Sequence, residues 1–414
     1  MKIISFTKVA NDCEVIESFI RYYAQIVDKM LFVSSCCIDN TSIIIRNMIK
    51  EGFNIELIEE ADISFEERYM DNKYLRMIAR EGEYDLILPI DTDEFITGDD
   101  NPRHILERLS LDKVYLVNWF NYVMTEKDNM SEAFIPKRQR YVLSGAESND
   151  VKKAIIPSRM ITEKNVVTVA GRHSITGEGI EVESLDNLYL AHYPSTSKDQ
   201  YLLRIYDCAI RNIIRTDLGD NEGSHKRIQY AMLQAGNDVY DVAGKYGYVA
   251  NDESISSLEE KPLYLDCFKK EDLIIKYPEL AKTNMIQGLI RIGQLMAVKA
   301  YILEREKFIQ ENNKRVLIYG TGNEAKVMLN GISEGLINVM AYVDSDTTKQ
   351  FGMYNRKLVI PPDFCRFFKY DKIIISSNRF YDEMLQTLTD LGIKHEKISN
   401  VGWLFDLMKE VRDE

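Results

Sequence analysis

The chain has 414 residues, of which 45% are hydrophobic and 28% are charged, and its formal net charge is −13. At roughly 100–200 residues per domain, this length predicts two or three domains, with enough apolar residues for more than one hydrophobic core. The acidic balance excludes general nucleic-acid binding, which needs a basic surface, and broad electrostatic docking on anionic lipid.

The cysteines and the N-terminus indicate the compartment. The six cysteines form neither a C-x-x-C pair nor a zinc-binding pattern, which predicts free thiols in a reducing cytosol. The N-terminal residues lack the apolar run of a signal peptide, and we expect no apolar stretch of the ~18 residues that suggest a membrane span. The predicted location is the cytoplasm, with peripheral association at the inner face of the membrane left open.

Strand-like and helix-like patterns alternate along residues 1–194. Apolar runs and helical spacing predict strands at 3–6, 29–35, 53–58 and 85–90 and helices at 16–27, 43–50 and 69–80. This order predicts an α/β fold with a mostly parallel sheet and helices on both faces. Ligands of such sheets bind beyond the carboxyl ends of the strands.

A pair of acids follows the fourth predicted strand. Asp91 and Asp93, in the sequence D-T-D, can point into one cleft, where their mutual repulsion favours a bound cation. Carboxylate oxygens suit Mg²⁺ or Mn²⁺, and a substrate diphosphate can complete the coordination shell. A D-x-D pair alone is a weak signal whose alternative is a solvated turn. Its position directly after an apolar strand favours the functional interpretation.

The remainder of the chain has two further patterns. A mainly helical stretch follows the first region, and strand–helix alternation then resumes. The predicted domains are 1–205, a helical extension at 206–313, and a small C-terminal α/β domain at 314–414.

The C-terminal domain opens with a strand at 314–319 that leads into Gly320 and Gly322 of a G-x-G-x-x-A turn, and Asp344 ends the next predicted strand. This pattern predicts a Rossmann-like domain whose turn can approach a phosphate. At about 90 residues it is too short for a two-halved dinucleotide fold. Nucleotide or nucleotide-sugar binding and a structural or oligomerisation role are therefore equally open, and redox chemistry is less favoured.

Several short motifs occur in order in the first half of the chain. They are residues 8–12 (KVAND), 19–23 (FIRYY), 39–42 (DNTS), 89–95 (PIDTDEF), 153–156 (KAII), 171–173 (GRH) and 191–194 (AHYP). Together they resemble the family 2 glycosyltransferases of the GT-A fold, in the branch with a D-x-D-E-F element. The C-terminal domain resembles the small Rossmann-like domain of bacterial sugar acetyltransferases.

The resemblance implies a nucleotide site. Lys8, Asn11 and Asp39 would lie near the nucleotide base and ribose, and Lys153 would contact phosphate. The turn that begins at Asp39 lacks a later acidic residue often found in the family, which weakens the base-binding role of this loop.

The resemblance also implies a metal site. Asp93 would bind the metal directly, and Asp91 would face the ribose or the water shell of the metal. His192 would return from the far end of the domain as a metal or diphosphate ligand, and His173 is a further candidate. For each histidine, the alternative is an imidazole that is hydrogen-bonded within the fold.

Members of this family usually invert the anomeric configuration, which requires a general base on the acceptor hydroxyl. The sequence singles out no base. Glu147 and Asp150 lie in a predicted polar loop at 144–150, and Glu178 lies in a predicted glycine-rich loop. The alternative for each is a solvated carboxylate. Glu94 is expected to orient the metal ligands without binding the metal itself.

These observations predict a metal-dependent glycosyltransferase of bacterial surface polysaccharide synthesis. It would use Mn²⁺ or Mg²⁺ to transfer a sugar from a nucleotide-diphosphate sugar to a glycan or lipid-linked acceptor. One alternative is an NAD-dependent sugar-modifying enzyme run by the C-terminal domain, and another is a non-catalytic scaffold. A homo-oligomer is left open.

Overall fold

The computed structural model describes the chain except residues 61–66, 170–171, 173, 215–223, 251–253, 310, 312, 331–335 and 414. The chain divides into two compact units, Met1–Ile290 and Arg291–Glu414. The predicted boundary at residue 205 falls inside the first unit, and the predicted helical extension is divided between the two. A separate helical domain remains a prediction.

The first unit contains most of the strands. In chain order its strands are β1 (Ile3–Val9), β2 (Lys29–Ser35), β3 (Ile55–Glu60), β4 (Leu86–Pro89), β5 (Glu94–Gly98), β6 (Val114–Tyr122), β7 (Tyr141–Pro157), β8 (Val167–Thr168), β9 (Ile175–Thr176), β10 (Val182–His192) and β11 (Leu258–Glu260). The strands of the second unit are β12 (Lys314–Tyr319), β13 (Ile337–Val343), β14 (Met353–Tyr354), β15 (Lys357–Ile360), β16 (Lys372–Ile375) and β17 (Ile398–Asn400).

The helices connect and cover these strands. They are α1 (Ile16–Tyr23), α2 (Thr41–Lys50), α3 (Glu67–Glu81), α4 (Pro102–Glu107), α5 (Ile135–Arg138), α6 (Ser158–Glu163), α7 (Lys198–Ile214), α8 (Ser224–Gln234), α9 (Val239–Lys245), α10 (Met285–Glu306), α11 (Asn323–Asn330), α12 (Tyr381–Asp390) and α13 (Gly402–Asp413).

Nine strands of the first unit form one large sheet in the order β3-β2-β1-β4-β7-β6-β10-β5, with β11 beside β7, and β8 and β9 form a separate two-stranded antiparallel sheet. The four strands β3, β2, β1 and β4 are parallel, as expected from the alternation of strands and helices. Beyond β4 the sheet is mixed, because β7 is antiparallel to both β4 and β6 and β10 is antiparallel to β5. The predicted α/β class is confirmed.

Alternate residues of the parallel strands pack into two different hydrophobic cores. Ile3 of β1 belongs to the core that contains Phe19 of α1, whereas its neighbour Ile4 belongs to the core that contains Leu75 of α3 and Met160 of α6. This alternation is the two-residue period of a β-strand. The sheet therefore has helices on both faces, as predicted.

One predicted loop is part of a strand. Residues 144–150 were expected to form a polar loop, but their backbone continues β7 and pairs with β6, with Glu147 opposite Phe120 and Ser148 opposite Trp119. The polar composition of the segment misleads because cross-strand pairing decides strand formation more than intrinsic propensity does.

The second unit has a largely parallel sheet in the order β14-β15-β13-β12-β16-β17. The chain starts at the central strand β12, adds β13 and β15 on one side, and then crosses to add β16 and β17 on the other. Its core includes Val316, Ile318 and Ile374, which are fully buried. The predicted sequence of strand, glycine turn and helix at the start of this unit is present.

The helix α10 differs from one expectation. Within the described residues it is long and apolar enough, by length and composition, to cross a membrane, although no such stretch was expected. A single helix of this kind is a weak sign, because core helices of soluble proteins pass the same test. The six cysteines are free thiols, as predicted.

Candidate active site

The D-T-D element lies where four strands of the first unit meet. The connection from β4 to β5 holds Asp91 and Asp93. β4 is paired in parallel with β1, whose carboxyl end leads toward Asn11. β10 is antiparallel to β5, with His192 opposite Glu94. The sheet pairing therefore brings residues from widely separated parts of the sequence to one edge.

Two cations neutralise Asp91. Lys153 Nζ lies 2.6 Å from Asp91 Oδ2, and Arg172 Nη1 lies 3.2 Å from Asp91 Oδ1. Burial disfavours the charged carboxylate, but the charges of Lys153 and Arg172 outweigh burial and hold the pKa of Asp91 below its usual range. Lys153 also lies 3.1 Å from Glu94 Oε1 and is almost fully buried. Its expected contact with phosphate stays a prediction.

Arg172 belongs to the G-R-H motif, yet the sequence gives no sign of its contacts. Its side chain is fully buried and donates to the carbonyl of Ile90 at 3.1 Å. It also pairs with Asp71 of α3 at 2.9 Å, and its guanidinium carbon lies 5.1 Å from the ring centroid of Phe6. One side chain therefore fixes the D-T-D turn to α3 and β1.

Asp93 is the better-buried acid of the pair. Its Oδ2 accepts a hydrogen bond from Arg204 Nη1 of α7 at 2.8 Å, and His192 Nε2 lies 3.6 Å from the same oxygen. Burial again opposes ionisation, but Arg204 and then His192 outweigh it, so the pKa of Asp93 lies well below its usual range. Arg204 was missed by the sequence analysis because it is one of several polar residues on a long helix.

The imidazole of His192 is held on two sides. Its Nδ1 lies 2.6 Å from Asn121 Oδ1, which can only accept, so Nδ1 donates. The ring stacks on Trp119 with centroids 4.4 Å apart and an angle of 2° between the planes. Nε2 is therefore directed at Asp93 and, in the neutral ring, presents a lone pair to a carboxylate oxygen. In that neutral state two acceptors face each other and favour a cation between them, whereas a protonated ring would donate to Asp93.

The donor set suits a metal ion that also has substrate ligands. Among the described residues, no group of three or more His, Cys, Asp or Glu side chains is arranged to hold a metal ion. Asp93 and His192 supply two ligands of the expected kind, and Asp91 lies on the same turn. These residues fit Mn²⁺ or Mg²⁺ if water and a diphosphate complete the shell. His173 lies outside the described residues.

Glu94 stabilises the turn. Its Oε2 accepts a hydrogen bond from the backbone N–H of Asp91 at 2.9 Å, and its own carbonyl accepts from Tyr23 Oη at 3.0 Å. Burial raises the pKa of Glu94, against the opposing charge of Lys153. These contacts hold the turn that carries both acids, and the expected role of Glu94 toward a metal stays a prediction.

Asn11 joins three elements at the edge of the sheet. It has a left-handed backbone with φ 64°, its Oδ1 accepts from the N–H of Ile38 at 2.8 Å, and its Nδ2 donates to Asp207 Oδ2 of α7 at 3.0 Å. Short polar residues are the non-glycine residues that most often tolerate this backbone conformation. The contacts hold the ends of β1 and β2 against α7, and the expected contact with a nucleotide stays a prediction.

Lys8 and Asp39 are also bound within the protein. Lys8 Nζ lies 3.1 Å from Asp71 Oδ1, and both side chains are buried. Asp39 accepts from the N–H groups of Cys13 at 3.0 Å and Thr41 at 2.9 Å. These contacts shape the loop that the resemblance assigns to the base and ribose, and the direct roles stay predictions.

Asp12 is an unusual acid in the same region. Burial raises its pKa to about 7, while Arg204 opposes the increase and Asp93 and Asp39 add to it. Its Oδ2 accepts from the N–H of Ala10 at 2.8 Å. Near neutral pH, Asp12 is therefore an acid close to its titration point.

The three candidate bases differ in what the structure describes. The backbones of Glu147 and Asp150 lie on β7, and their side chains lie outside the described part of the chain. Glu178 is exposed in the turn after β9, where its Oε1 accepts from Asn165 Nδ2 at 2.9 Å. All three base assignments stay predictions.

Side chains in and beside the glycine turn of the second unit bond to one another. Asp344 accepts from the Thr321 N–H at 3.2 Å and also from the Thr321 hydroxyl, and Lys349 Nζ lies 3.3 Å from it. Gly320 has φ 108°, and a Cβ there would lie 2.6 Å from Ser376 Oγ, whereas a Cβ on Gly322 would meet open space. Asp344, the acid at the end of the next strand, is thus engaged within the turn, and nucleotide binding here stays a prediction.

Comparison with known proteins gives one family match and several structural likenesses. A family model described as C2185-like, N-terminal, matches residues 312–399, which lie in the second unit. No curated protein matches the chain.

The structural likenesses are weak. The chain is similar to a mannosyltransferase, PcManGT from Pyrobaculum calidifontis in complex with GDP-Man and Mn²⁺, at 11% identity and TM-score 0.30 over 70% of this chain and 86% of that one. It is similar to HddC from Yersinia pseudotuberculosis at 12% identity and TM-score 0.29, over 49% and 97% of the two chains. Glucosyl-3-phosphoglycerate synthase from Mycobacterium tuberculosis, in complex with Mn²⁺, UDP and phosphoglyceric acid, is 15% identical with TM-score 0.26, over 53% and 80%. Likenesses at this level leave the function to be argued from the site.

Proposed function

We propose that the protein is a glycosyltransferase that uses a nucleotide-diphosphate sugar and a divalent metal ion, Mn²⁺ or Mg²⁺. One observation carries the proposal: His192 Nε2 and Asp93 Oδ2 face each other at 3.6 Å just beyond the carboxyl end of β4, in the parallel part of the sheet. The pair supplies a nitrogen and an oxygen ligand where ligands of such sheets bind.

The two ligands are held before any substrate arrives. Trp119 and Asn121 fix the ring of His192, and Glu94 fixes the turn that carries both acids. Such outer contacts orient metal ligands and determine the tautomer of a ligating histidine. When bound, the metal ion would neutralise charge that develops on the leaving diphosphate.

The site leaves coordination positions for a substrate. Asp93 and His192 are too few ligands for an all-protein shell, which suits a cation that is shared with a diphosphate. Lys8, Asn11 and Asp39 surround the adjacent ends of β1 and β2, where we place the nucleoside. Arg204 lies beside Asp93 and can turn from that carboxylate to a phosphate oxygen.

The acceptor side of the proposal follows from the resemblance. We propose an inverting transfer to a glycan or lipid-linked acceptor in bacterial surface polysaccharide synthesis, at the inner face of the cytoplasmic membrane. Glu147 and Asp150 on β7 are the proposed bases, and Glu178 is a weaker candidate because it is bonded to Asn165 in an exposed turn.

A substitution at Asp93 tests the proposal. Asp93→Asn should abolish the Mn²⁺-dependent release of nucleoside diphosphate from a panel of uridine and guanosine sugar donors, with an unchanged circular dichroism spectrum. The exposed Asp99→Asn, which lies beyond β5, is the matched control and should keep full activity. Unchanged turnover by Asp93→Asn would exclude the metal role and with it the proposal.

A further inference from the structure

A second group of cations lies next to the D-T-D element, on the helices α7 and α8. Lys226 Nζ of α8 lies 5.8 Å from the ring centroid of Tyr201 and 5.7 Å from that of Tyr248. Arg204 of α7 is close enough to Lys226 for the two charges to repel each other appreciably. Burial and this repulsion lower the pKa of Lys226 to about 8.

The two cations are unequally neutralised, because Asp93 and Asp12 both attract Arg204, whereas for Lys226 burial and the repulsion of Arg204 outweigh the attraction of Asp93. Arg204 shares its charge with Asp93, whose Oδ2 is 2.8 Å away. Within the described part of the chain, Lys226 has no carboxylate at ion-pair distance, and its neighbours are the faces of two tyrosine rings. A half-buried ammonium that lacks a carboxylate at ion-pair distance is destabilising, and a ligand that brings negative charge would reduce this cost.

Among the described residues, two buried polar side chains near Lys226 also have no hydrogen-bond partner. The side chain of Gln229, one turn after Lys226 on the same face of α8, is fully buried, and neither its Oε1 nor its Nε2 forms a hydrogen bond. The hydroxyl of Tyr201, in a residue that is 1% exposed, is likewise unpaired. Buried polar groups without partners are uncommon in proteins and often mark a place where a ligand or water binds.

The geometry points to a phosphoryl-binding subsite formed by Arg204, Lys226 and Gln229, with Tyr201 and Tyr248 as its walls. A guanidinium, an ammonium and an amide N–H group together offer the charge-assisted donors that phosphate oxygens accept. This inference rests on the proposed function in one respect, that the nearby Asp93 belongs to a sugar-transfer site. The phosphoryl group belongs either to the diphosphate of the donor or to a phosphorylated acceptor.

Binding of inorganic pyrophosphate tests the subsite without any metal. In EDTA, isothermal titration of the full chain should show saturable binding of pyrophosphate. Lys226→Met should weaken this binding at least tenfold, and Lys226→Arg should retain most of it because a cation is kept. The control is Lys198→Met, which removes an exposed lysine that also lies over a tyrosine ring, that of Tyr240 at 5.4 Å, and should bind as the wild type does.

Two outcomes would overturn the subsite: no binding of pyrophosphate by the wild-type chain, or equal affinities for the wild type and Lys226→Met. Thermal unfolding of each variant verifies that a loss of binding is not a loss of fold. Because neither measurement depends on turnover or on Mn²⁺, the subsite can fail while the transferase proposal stands, and the reverse also holds.

A competition arm identifies the source of the phosphoryl group. If pyrophosphate is displaced by uridine or guanosine diphosphate but not by the monophosphates, the subsite holds the terminal phosphate of the donor. If pyrophosphate binds equally well when the nucleoside diphosphate is saturating, the subsite holds a phosphate of the acceptor.

Discussion

Arg204 Nη1 lies 2.8 Å from Oδ2 of Asp93, so the acid that we assign to the metal already has a cation beside it. The arginine comes from α7, and it also donates to the carbonyl of Pro194 at 3.2 Å. A metal ion at Asp93 must therefore compete with, or displace, a guanidinium that belongs to the protein. This competition leads to the first prediction.

Arg204→Met should destabilise the metal-free protein and make it more responsive to metal. Removal of one partner of a buried ion pair typically costs about 3–5 kcal/mol, because the remaining charge is uncompensated. Mn²⁺ can then compensate Asp93, and a ligand that binds the folded state raises its stability. Thermal unfolding with EDTA and with Mn²⁺ measures both effects, and an equal loss of Tm in the two conditions would contradict the prediction.

Asn121 should determine how well His192 binds metal. Asn121→Ala removes the acceptor of Nδ1, and the loss of such an outer contact typically reduces metal affinity about 10- to 100-fold. Asn121→Asp keeps an acceptor at the same place and should preserve or increase the affinity. Isothermal titration calorimetry with Mn²⁺ measures the metal affinity of the two variants and distinguishes them. Similar affinities for Asn121→Ala and the wild type would show that His192 is not a ligand.

Arg172→Leu should be one of the most destabilising single changes in the first unit. Among the described cations, it leaves the buried Asp71 with Lys8 and Asp91 with Lys153, so we expect a loss of about 3–5 kcal/mol in the free energy of unfolding. The control is Arg159→Leu, which breaks the exposed ion pair with Asp112 and should cost less than about 1 kcal/mol. Urea denaturation measures both variants, and similar losses would contradict the role of burial.

Asp12 should make stability depend on pH. Because its pKa is about 7 in the folded protein and about 4 when unfolded, the folded state holds a proton that the unfolded chain releases, and stability falls as the pH rises from about 4 to 7. Asp12→Asn removes this loss. Its stability relative to the wild type should therefore rise with pH across that range and level off above pH 7, with an upper limit of about 4 kcal/mol.

Chemical denaturation in EDTA at a series of pH values gives this difference directly. The exposed Asp99→Asn is the control and should change stability by less than about 0.5 kcal/mol at any pH. A constant difference between Asp12→Asn and the wild type from pH 4 to pH 8 would show that Asp12 titrates normally.

The two glycines of the C-terminal turn should respond differently to alanine. Gly320→Ala places a Cβ against Ser376 Oγ at a φ of 108°, and we expect a loss of about 2 kcal/mol or more. Gly322→Ala enters open space, and the change in stability should stay within about 0.5 kcal/mol. Thermal unfolding of the full chain measures both, and a large effect at Gly322 would indicate a constraint that the structure does not show.

The strands with continuous apolar runs were predictable from the sequence. The predicted bounds 29–35 and 314–319 coincide with β2 and β12, because each segment opens with a lysine and contains a continuous apolar run that is buried. The position of Asp91 and Asp93 after an apolar strand was likewise predictable, since the strand and the motif are adjacent in the sequence.

The partners of those acids were not predictable. Arg172 and Arg204 reach the acids only through the packing of a hairpin and a helix, and no local pattern distinguishes them from arginines on the surface. The prediction of a loop at 144–150 was wrong for a related reason, because the backbone of this segment pairs with a strand that lies elsewhere in the sequence. Contacts between residues that are far apart in the sequence could thus not be predicted.

The spacing of these ion pairs also bears on how the protein is made. Lys153 lies 62 residues after Asp91, Arg172 lies 81 residues after it, and Arg204 lies 111 residues after Asp93. On the ribosome, the acids therefore emerge well before any of their counter-ions, and the β4–β5 turn stays electrostatically unbalanced until α7 has been synthesised. A nascent chain that ended between residues 172 and 204 would hold both cations that pair with Asp91 but would lack the guanidinium that pairs with Asp93.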